Sequence, residues 1–302
     1  MSRDEPDRIV YSIAKSADIS QGFIEVTARN FSNAVNKTAW WLEDLLRKSD
    51  SFRTIGYIGP HDIRYFLLNL ACVKVGYQVL FLSPGNSIEA ALGLLDATSC
   101  NLWVHPKGCP PYPLVEEVQH SRELRIIEIP TVKELLDADS ARHYSYSKTY
   151  DEAMADTFCI LHTSGTTGLP KPIYMSNGLL ATMDAARTLP PFEGDNGAAP
   201  WATLQGPGIF MNLFATFLFD THSVMGPVDV QPDMNLLASL ADHGKIDIWH
   251  FMPVYVNELG QNPIVLEKFR SSKFISAGGG QGWEPFNSIN GMPQLRSYLA
   301  SD

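Results

Sequence analysis

The sequence predicts an α/β protein made of two packed α/β subdomains with largely parallel sheets, divided near residue 150 into halves 1–150 and 151–302. Short apolar runs of strand length alternate with stretches whose apolar residues recur at helical spacing. Gly and Pro punctuate the joins. A polar, Tyr/Ser-rich stretch at 138–152 has no period of its own and reads as a linker or surface loop. Alternation of this kind places helices on the faces of parallel sheet.

In the first half, Val35, Ala39, Leu42 and Leu46 give an amphipathic helix over about 33–48, with Trp40 and Trp41 as packing residues rather than ligand contacts. Thr54–Ile58 is strand-like and is followed by the Gly59-Pro60 turn. Ile63, Phe66, Leu67, Leu70 and Ala71 then recur with helical period, and Val79–Leu82 forms a strand closed by Ser83-Pro84. That is a βαβ unit. A helix over 87–97 and strands at 102–105 and 125–129 continue the pattern. In the second half, strands are expected at 157–161, 223–225, 246–250 and 274–277, and helices at 177–189, 209–219 and 234–243. No repeat or low-complexity tract interrupts the chain.

At 302 residues and 45% hydrophobic content, the chain can bury a sizeable core. A formal charge of −10 argues against nucleic acid or an anionic membrane as partner, since both require clustered Lys and Arg. A small molecule is the natural ligand. Residues 1–6, MSRDEP, do not resemble a secretory signal, and the longest apolar run, Gly208–Phe219, is too short to span a bilayer, so a cytoplasmic protein is expected. Cys72, Cys100, Cys109 and Cys159 lack metal-ligand spacing and read as reduced structural thiols, and no metal site is expected from them.

The chemistry concentrates at Thr163, Ser164, Gly165, Thr166, Thr167, Gly168 and Lys171, directly after the apolar strand Phe158–Leu161. Gly165 and Gly168 let backbone N–H groups turn toward a common point, the hydroxyls add donors, and Lys171 supplies a compact cation. The pattern suits a polyphosphate, and the loop is expected between a strand and a helix. Ser/Thr/Gly clusters also occur in plain turns, but rarely as a run of this kind ahead of Pro-Lys. The two glycines are too close for the spacing of a P-loop NTPase, and no GxSxG elbow makes Ser164 a nucleophile.

The segment Thr163–Lys171 resembles the phosphate loop of the adenylate-forming superfamily, which includes acyl-CoA ligases, luciferases and the adenylation domains of nonribosomal peptide synthetases. Lys171-Pro172-Ile173, with Trp40–Glu43, Tyr57–Tyr65 and Val73–Tyr77, is similar to fungal synthetase-like adenylate-forming reductases. Ser83-Pro84-Gly85-Asn86-Ser87 matches that subgroup with Gly85 in place of an arginine. The resemblance runs over about 20–285 and implies the N-terminal part of an adenylate-forming domain. In such enzymes a carboxylic acid attacks the α-phosphate of ATP, held with Mg2+, to give acyl-AMP and pyrophosphate. The resemblance implies that Thr163–Gly168 and Lys171 hold the β- and γ-phosphates, and that Ala277, Gly278, Gly279 and Gly280 lie along adenine. It also implies an acid pocket near Gln205, Gly208, Met211 and His250, and a carrier domain or carrier protein supplied in trans.

Several expected parts are not found in the 302 residues. A Tyr-Gly-x-Thr-Glu run should follow Gly280, and the ribose-binding aspartate, the hinge and the C-terminal lid with its catalytic lysine should come later. No catalytic residue is therefore assigned, and the chain is expected to be truncated, with an exposed apolar surface near Trp283 and Phe286 and weak or no activity alone. Asn177 and Gln205 stand where many members have histidine. The competing reading is a catalytically inactive nucleotide- or partner-binding remnant. A dehydrogenase using Gly278–Gly282 is disfavoured, because no GxGxxG with an acidic partner follows a first strand.

Overall fold

A computed structural model of the chain describes residues 4–137, 140–163, 168–182, 196–198, 212–213, 216–217, 221–228, 230, 232–251, 253–277 and 295–297. The chain divides into two compact units, Arg29–Ala186 and Arg3–Ala28 with Arg187–Asp302.

In the Arg29–Ala186 unit, the described strands are β3 (Arg53–Tyr57), β4 (Tyr77–Phe81), β5 (Leu102–Pro106), β6 (Arg125–Ile129), β7 (Thr157–His162) and β8 (Pro172–Ser176), numbered after β1 and β2 of the other unit. They form one sheet in the order β6-β5-β3-β4-β7-β8, parallel except for the antiparallel β7–β8 pair. The sheet is therefore mixed. Helices α1 (Ala28–Leu46), α2 (Arg64–Val75), α3 (Ile88–Ala97) and α4 (Pro113–Ser121) link the strands, with the shorter α5 (Val132–Leu136), α6 (Tyr150–Ala153) and α7 (Asn177–Thr182) after them. Phe31, Ala34, Val35, Ala39 and Leu42 bury one stripe of α1, whereas α2 is buried almost all round, as a helix set inside a core must be. Between the sheet and α3 and α4, Leu80, Leu94, Leu95, Trp103, Val118 and Ile160 form one apolar cluster.

The polar stretch near 150 does not separate the units. After it, Phe158–Leu161 is buried and pairs with β4 through Leu80 and Ile160, so the sheet continues across the expected break. The stretch itself is strapped to α1. Trp40 Nε1 donates to the Arg142 carbonyl at 2.9 Å, and the Arg142 guanidinium lies 4.6 Å over the Trp40 ring. Lys74 Nζ donates to the Tyr144 carbonyl at 2.9 Å and to Asn36 Oδ1 at 3.1 Å, and the Tyr144 hydroxyl donates to Glu43. Trp40 packs, as its place on the helix implies.

The other unit contains β1 (Ile9–Ala14), β2 (Phe23–Thr27), β9 (Asn196–Ala198), β10 (His222–Met225), β11 (Ile248–Phe251), β12 (Phe274–Ala277) and β13 (Leu295–Ser297). Its described sheet runs β13-β12-β11-β9-β10-β1-β2, parallel except for the β1–β2 pair. Helices α8 (Met234–His243), α9 (Pro253–Gly260) and α10 (Pro263–Lys268) supply Leu237, Leu240, Val256, Leu259 and Val265 to a core closed by Trp249, Phe251 and Phe269. Trp249 Nε1 donates to Ser272 Oγ at 3.0 Å, which satisfies the one polar atom of that buried ring. Of the apolar run at 209–219, Asn212, Leu213, Thr216 and Phe217 are described and helical. The expected helix at 177–189 is described as far as Thr182, and Trp283 and Phe286 lie outside the described residues.

Cys72, Cys100 and Cys159 are buried and Cys109 partly so, all four as free thiols. Burial pushes the Cys100 thiol up to about 11 and raises those of Cys72 and Cys159, so these three stay protonated. Among the described residues no group of three His, Cys, Asp or Glu side chains could hold a metal ion, and no helix is long and apolar enough to cross a membrane.

Gly76 ends α2 in the left-handed region at φ 86, its N–H donating to the Cys72 carbonyl at 2.9 Å. A Cβ there would sit 1.8 Å from the Ser49 carbonyl oxygen, a backbone atom that cannot swing aside. Gly76→Ala is expected to cost about 3 kcal/mol, combining a disfavoured φ with a clash. Thermal denaturation should show a Tm lower by roughly 10 °C; an unchanged Tm would contradict the crowding seen here.

Candidate functional site

The carboxyl ends of β3, β4, β5 and β7 all reach the same edge of their parallel sheet, because parallel strands share a direction. Crevices outside that edge are where open α/β sheets bind ligands. The turns found there are Gly59-Pro60, Ser83–Asn86 and Lys107–Cys109, with the start of the Thr163–Lys171 loop. A buried arginine ties the segment after Gly59-Pro60 to the Lys107–Cys109 turn. Asp62 and Arg64 are almost fully buried, with Arg64 Nη2 2.7 Å from Asp62 Oδ2. Arg64 Nε donates to both carboxylate oxygens at 3.1 and 3.0 Å, and Nη1 donates to the Lys107 carbonyl at 3.1 Å. A buried guanidinium satisfied in this way fixes the start of α2 against the end of β5.

The hydroxyl- and glycine-bearing loop leaves β7 and returns in β8, a strand rather than the expected helix. The antiparallel ladder runs from Thr157–Ser176 to His162–Pro172, with a register shift between Thr157 and Cys159. Pro172 has no N–H to give and sits at the first position of an edge strand, where that loss is tolerated. The helix comes one element later, as α7. The loop is closed at its neck by a reciprocal pair: the Thr163 N–H donates to the Lys171 carbonyl at 3.2 Å, and the Lys171 N–H donates to Thr163 Oγ1 at 3.1 Å. Both Lys171 groups are backbone, so its exposed ammonium is not spent on the neck, and it has no ion-pair partner among the described residues. Gly168 sits at φ 158 with nothing within 4 Å of a built Cβ. Ser164, Gly165, Thr166 and Thr167 lie outside the described residues.

His162, which the sequence reading did not single out, ends β7 beside this neck. Its Nδ1 lies 2.8 Å from the Thr163 carbonyl and its Nε2 is 3.2 Å from the Ser83 N–H and 3.3 Å from Asn86 Nδ2. The Ser83–Ser87 motif is thus accounted for by hydrogen bonds. Ser83 Oγ accepts from the Gly85 N–H at 3.2 Å, Asn86 reaches His162, and Ser87 Oγ accepts from the Ala90 N–H at 3.2 Å as the N-cap of α3. A Cβ on exposed Gly85 would come no closer than 3.7 Å to Ser83 Oγ, so the structure leaves room for a side chain there. Asn177 is held by the end of α6: its Nδ2 donates to the Ala153 carbonyl at 2.9 Å and its N–H to the Asp156 carbonyl at 3.0 Å.

In the other unit, Ala277 is the last residue of β12 and pairs with Phe251, one position after His250 pairs with Ser276. His250 and the start of the glycine-rich stretch therefore share one sheet edge. Gly278, Gly279, Gly280, Gln205, Gly208 and Met211 lie outside the described residues. Burial pushes the His250 imidazole down to about 4 from 6.5, so it is neutral near pH 7. The unfolded chain then takes up this proton first as pH falls, and the fold loses stability between about pH 6.5 and 4. His250→Gln is expected to flatten that part of a Tm-against-pH curve relative to the parent; curves that stay parallel through the window would refute the assignment.

Comparison with known proteins identifies the family and the fold. The profile described as AMP-binding enzyme matches residues 2–283. The chain is 48% identical over 294 residues to the isocyanide synthase-NRPS hybrid crmA of Aspergillus fumigatus, covering 93% of this chain and 19% of that protein. It is 30% identical over 294 residues to a carboxylic acid reductase of Neurospora crassa, covering 92% of this chain and 28% of that protein. The chain thus spans less than a third of the length of each of these two relatives. In fold it is similar to the N-terminal domain of FACL13 from Mycobacterium tuberculosis, with a TM-score of 0.77 at 16% identity over 95% of this chain and 69% of that one. ATP-bound MatB from Rhodopseudomonas palustris gives 0.71 at 15% identity, over 92% and 52%. With a family match over residues 2–283, nearly its whole length, the chain belongs to the AMP-binding enzymes.

Proposed function

We propose that this chain binds ATP at the Thr163–Lys171 loop and serves in activating a carboxylic acid as its acyl-adenylate. The observation that carries the reading is the neck of the loop, which ties the backbone groups of Lys171 to Thr163 at the carboxyl edge of the sheet and leaves the lysine ammonium for an anion. ATP supplies the α-phosphorus that the acid's carboxylate oxygen attacks, with pyrophosphate leaving. The residues of this chain bind and orient: Lys171 offsets phosphate charge, the Thr163 hydroxyl stays tied to the Lys171 N–H, and Ser164–Gly168 supply donors. Ala277–Gly280 is assigned to adenine, and Gln205, Gly208, Met211 and His250 to the acid. Magnesium would come with the nucleotide, and no residue of the chain is assigned to it.

The relatives support this reading at the level of chemistry. One is named as a synthetase hybrid and another as a carboxylic acid reductase, and a structural neighbour holds ATP. We infer a place in fungal secondary metabolism, in the cytoplasm, with the acyl group handed to a carrier domain or carrier protein.

Lys171→Ala keeps both neck hydrogen bonds and removes only the ammonium. It is expected to weaken Mg-ATP binding roughly ten- to a hundredfold, the usual range for a charge-assisted contact, with Tm unchanged because an exposed lysine contributes little to stability. Calorimetric titration beside thermal denaturation checks both. Equal affinity in parent and variant would move the nucleotide elsewhere; no binding by the parent at millimolar ATP would leave an inactive remnant as the correct reading.

A further inference from the structure

We propose that His162 is a positioning residue for the phosphate loop, acting as a bridge between the loop's first carbonyl and the turn that follows β4. The inference rests on the reading of Thr163–Lys171 as a phosphate-binding loop. A backbone N–H can only donate, so the Ser83 N–H at 3.2 Å requires a lone pair on His162 Nε2, and the ring proton sits on Nδ1. From there Nδ1–H donates to the Thr163 carbonyl at 2.8 Å, while Asn86 Nδ2 at 3.3 Å gives Nε2 a second donor. One neutral ring thereby links two segments 79 positions apart in sequence.

The consequence reaches the ligand through peptide geometry. A trans peptide unit is planar and carries its N–H on the side opposite its carbonyl. Holding the Thr163 carbonyl therefore sets the direction of the first N–H donor that the loop presents. Thr163 Oγ1 at the same time accepts from the Lys171 N–H, so the neck of the loop and the His162 bridge meet at this one residue. In this proposal His162 acts through Thr163, whose carbonyl it holds.

The test uses the full 302-residue chain and three variants of position 162. Gln keeps an acceptor for the Ser83 N–H, Asn keeps a donor for the Thr163 carbonyl, and Leu keeps neither. Without nucleotide, hydrogen–deuterium exchange of peptides covering 157–176 should be several-fold faster in His162→Leu than in the parent. Calorimetry should show about tenfold weaker Mg-ATP binding in that variant, and Gln and Asn should each recover part of both losses. Asn86→Ala removes a single donor from outside the loop and is expected to shift exchange in the same direction by less. If His162→Leu unfolds, Asn86→Ala and the partial variants decide the matter. Exchange and affinity unchanged in every variant, or Gln and Asn no better than Leu, would overturn the proposal. If the parent binds no ATP while exchange still responds to position 162, the bridge stands and the nucleotide reading fails. If ATP binding responds to Lys171→Ala but neither readout responds to position 162, the bridge alone fails.

Discussion

The site depends on the parallel pairing of β7 with β4. Antiparallel neighbours can be joined by a short turn, but parallel neighbours need a crossover, and here the crossover is two further strands with their helices and the strap that runs along α1. Once β7 lies beside β4, their carboxyl ends are adjacent by necessity. The turn after β4 then meets the first residues of the loop after β7, and His162 faces Ser83 and Asn86. Without that pairing, Thr163 would lose its link through His162 to the turn after β4.

Polar groups around this edge are placed so that few are left to compete with a ligand. The buried Arg64 guanidinium is matched by Asp62 and by the Lys107 carbonyl. Ser83, Asn86 and Ser87 each hold a different backbone or side-chain partner, and Asn177 is held by the end of α6. Lys171 is the contrast: its backbone is bound and its cation has no ion-pair partner among the described residues. Unspent charge at the edge of a parallel sheet is what an anion-binding site requires, and because the neck already holds the lysine's backbone, binding has only its side chain left to order.

Much of this was legible in the residues. Strands with buried apolar residues, such as Tyr77–Phe81 and Ile248–Phe251, and capped helices, such as Met234–His243 after Asp233, announce themselves by composition and spacing. β8 did not, because it opens on Pro172 and leaves Ile173 and Tyr174 largely exposed, so it lacks the buried alternation that marks a strand. β1 and β2 escaped because β1 pairs with β10, far along the chain, and no local feature reports such a partner. The break expected near residue 150 failed for a related reason: polarity shows that a segment faces water, not that the sheet has ended. At the site, composition displayed the loop, but its neck depends on the hairpin register and the His162 bridge on the strand order.

The hairpin also separates two demands on this stretch of sequence. Its ends are secured by ladder contacts from Thr157 to His162 and from Pro172 to Ser176, and by the Thr163–Lys171 pair. The described ladder ends at His162 and Pro172, and the entropy of closing a connection between such ends rises only slowly with its length. If the connection binds nucleotide as proposed, substitutions within it are judged first by the ligand. Change in β7 meets both tests at once, since Phe158, Cys159 and Ile160 are core and His162 is neck. Variation among relatives would on this basis be tolerated inside the loop at the rate that the ligand permits, and in the strand before it at the slower rate set by packing.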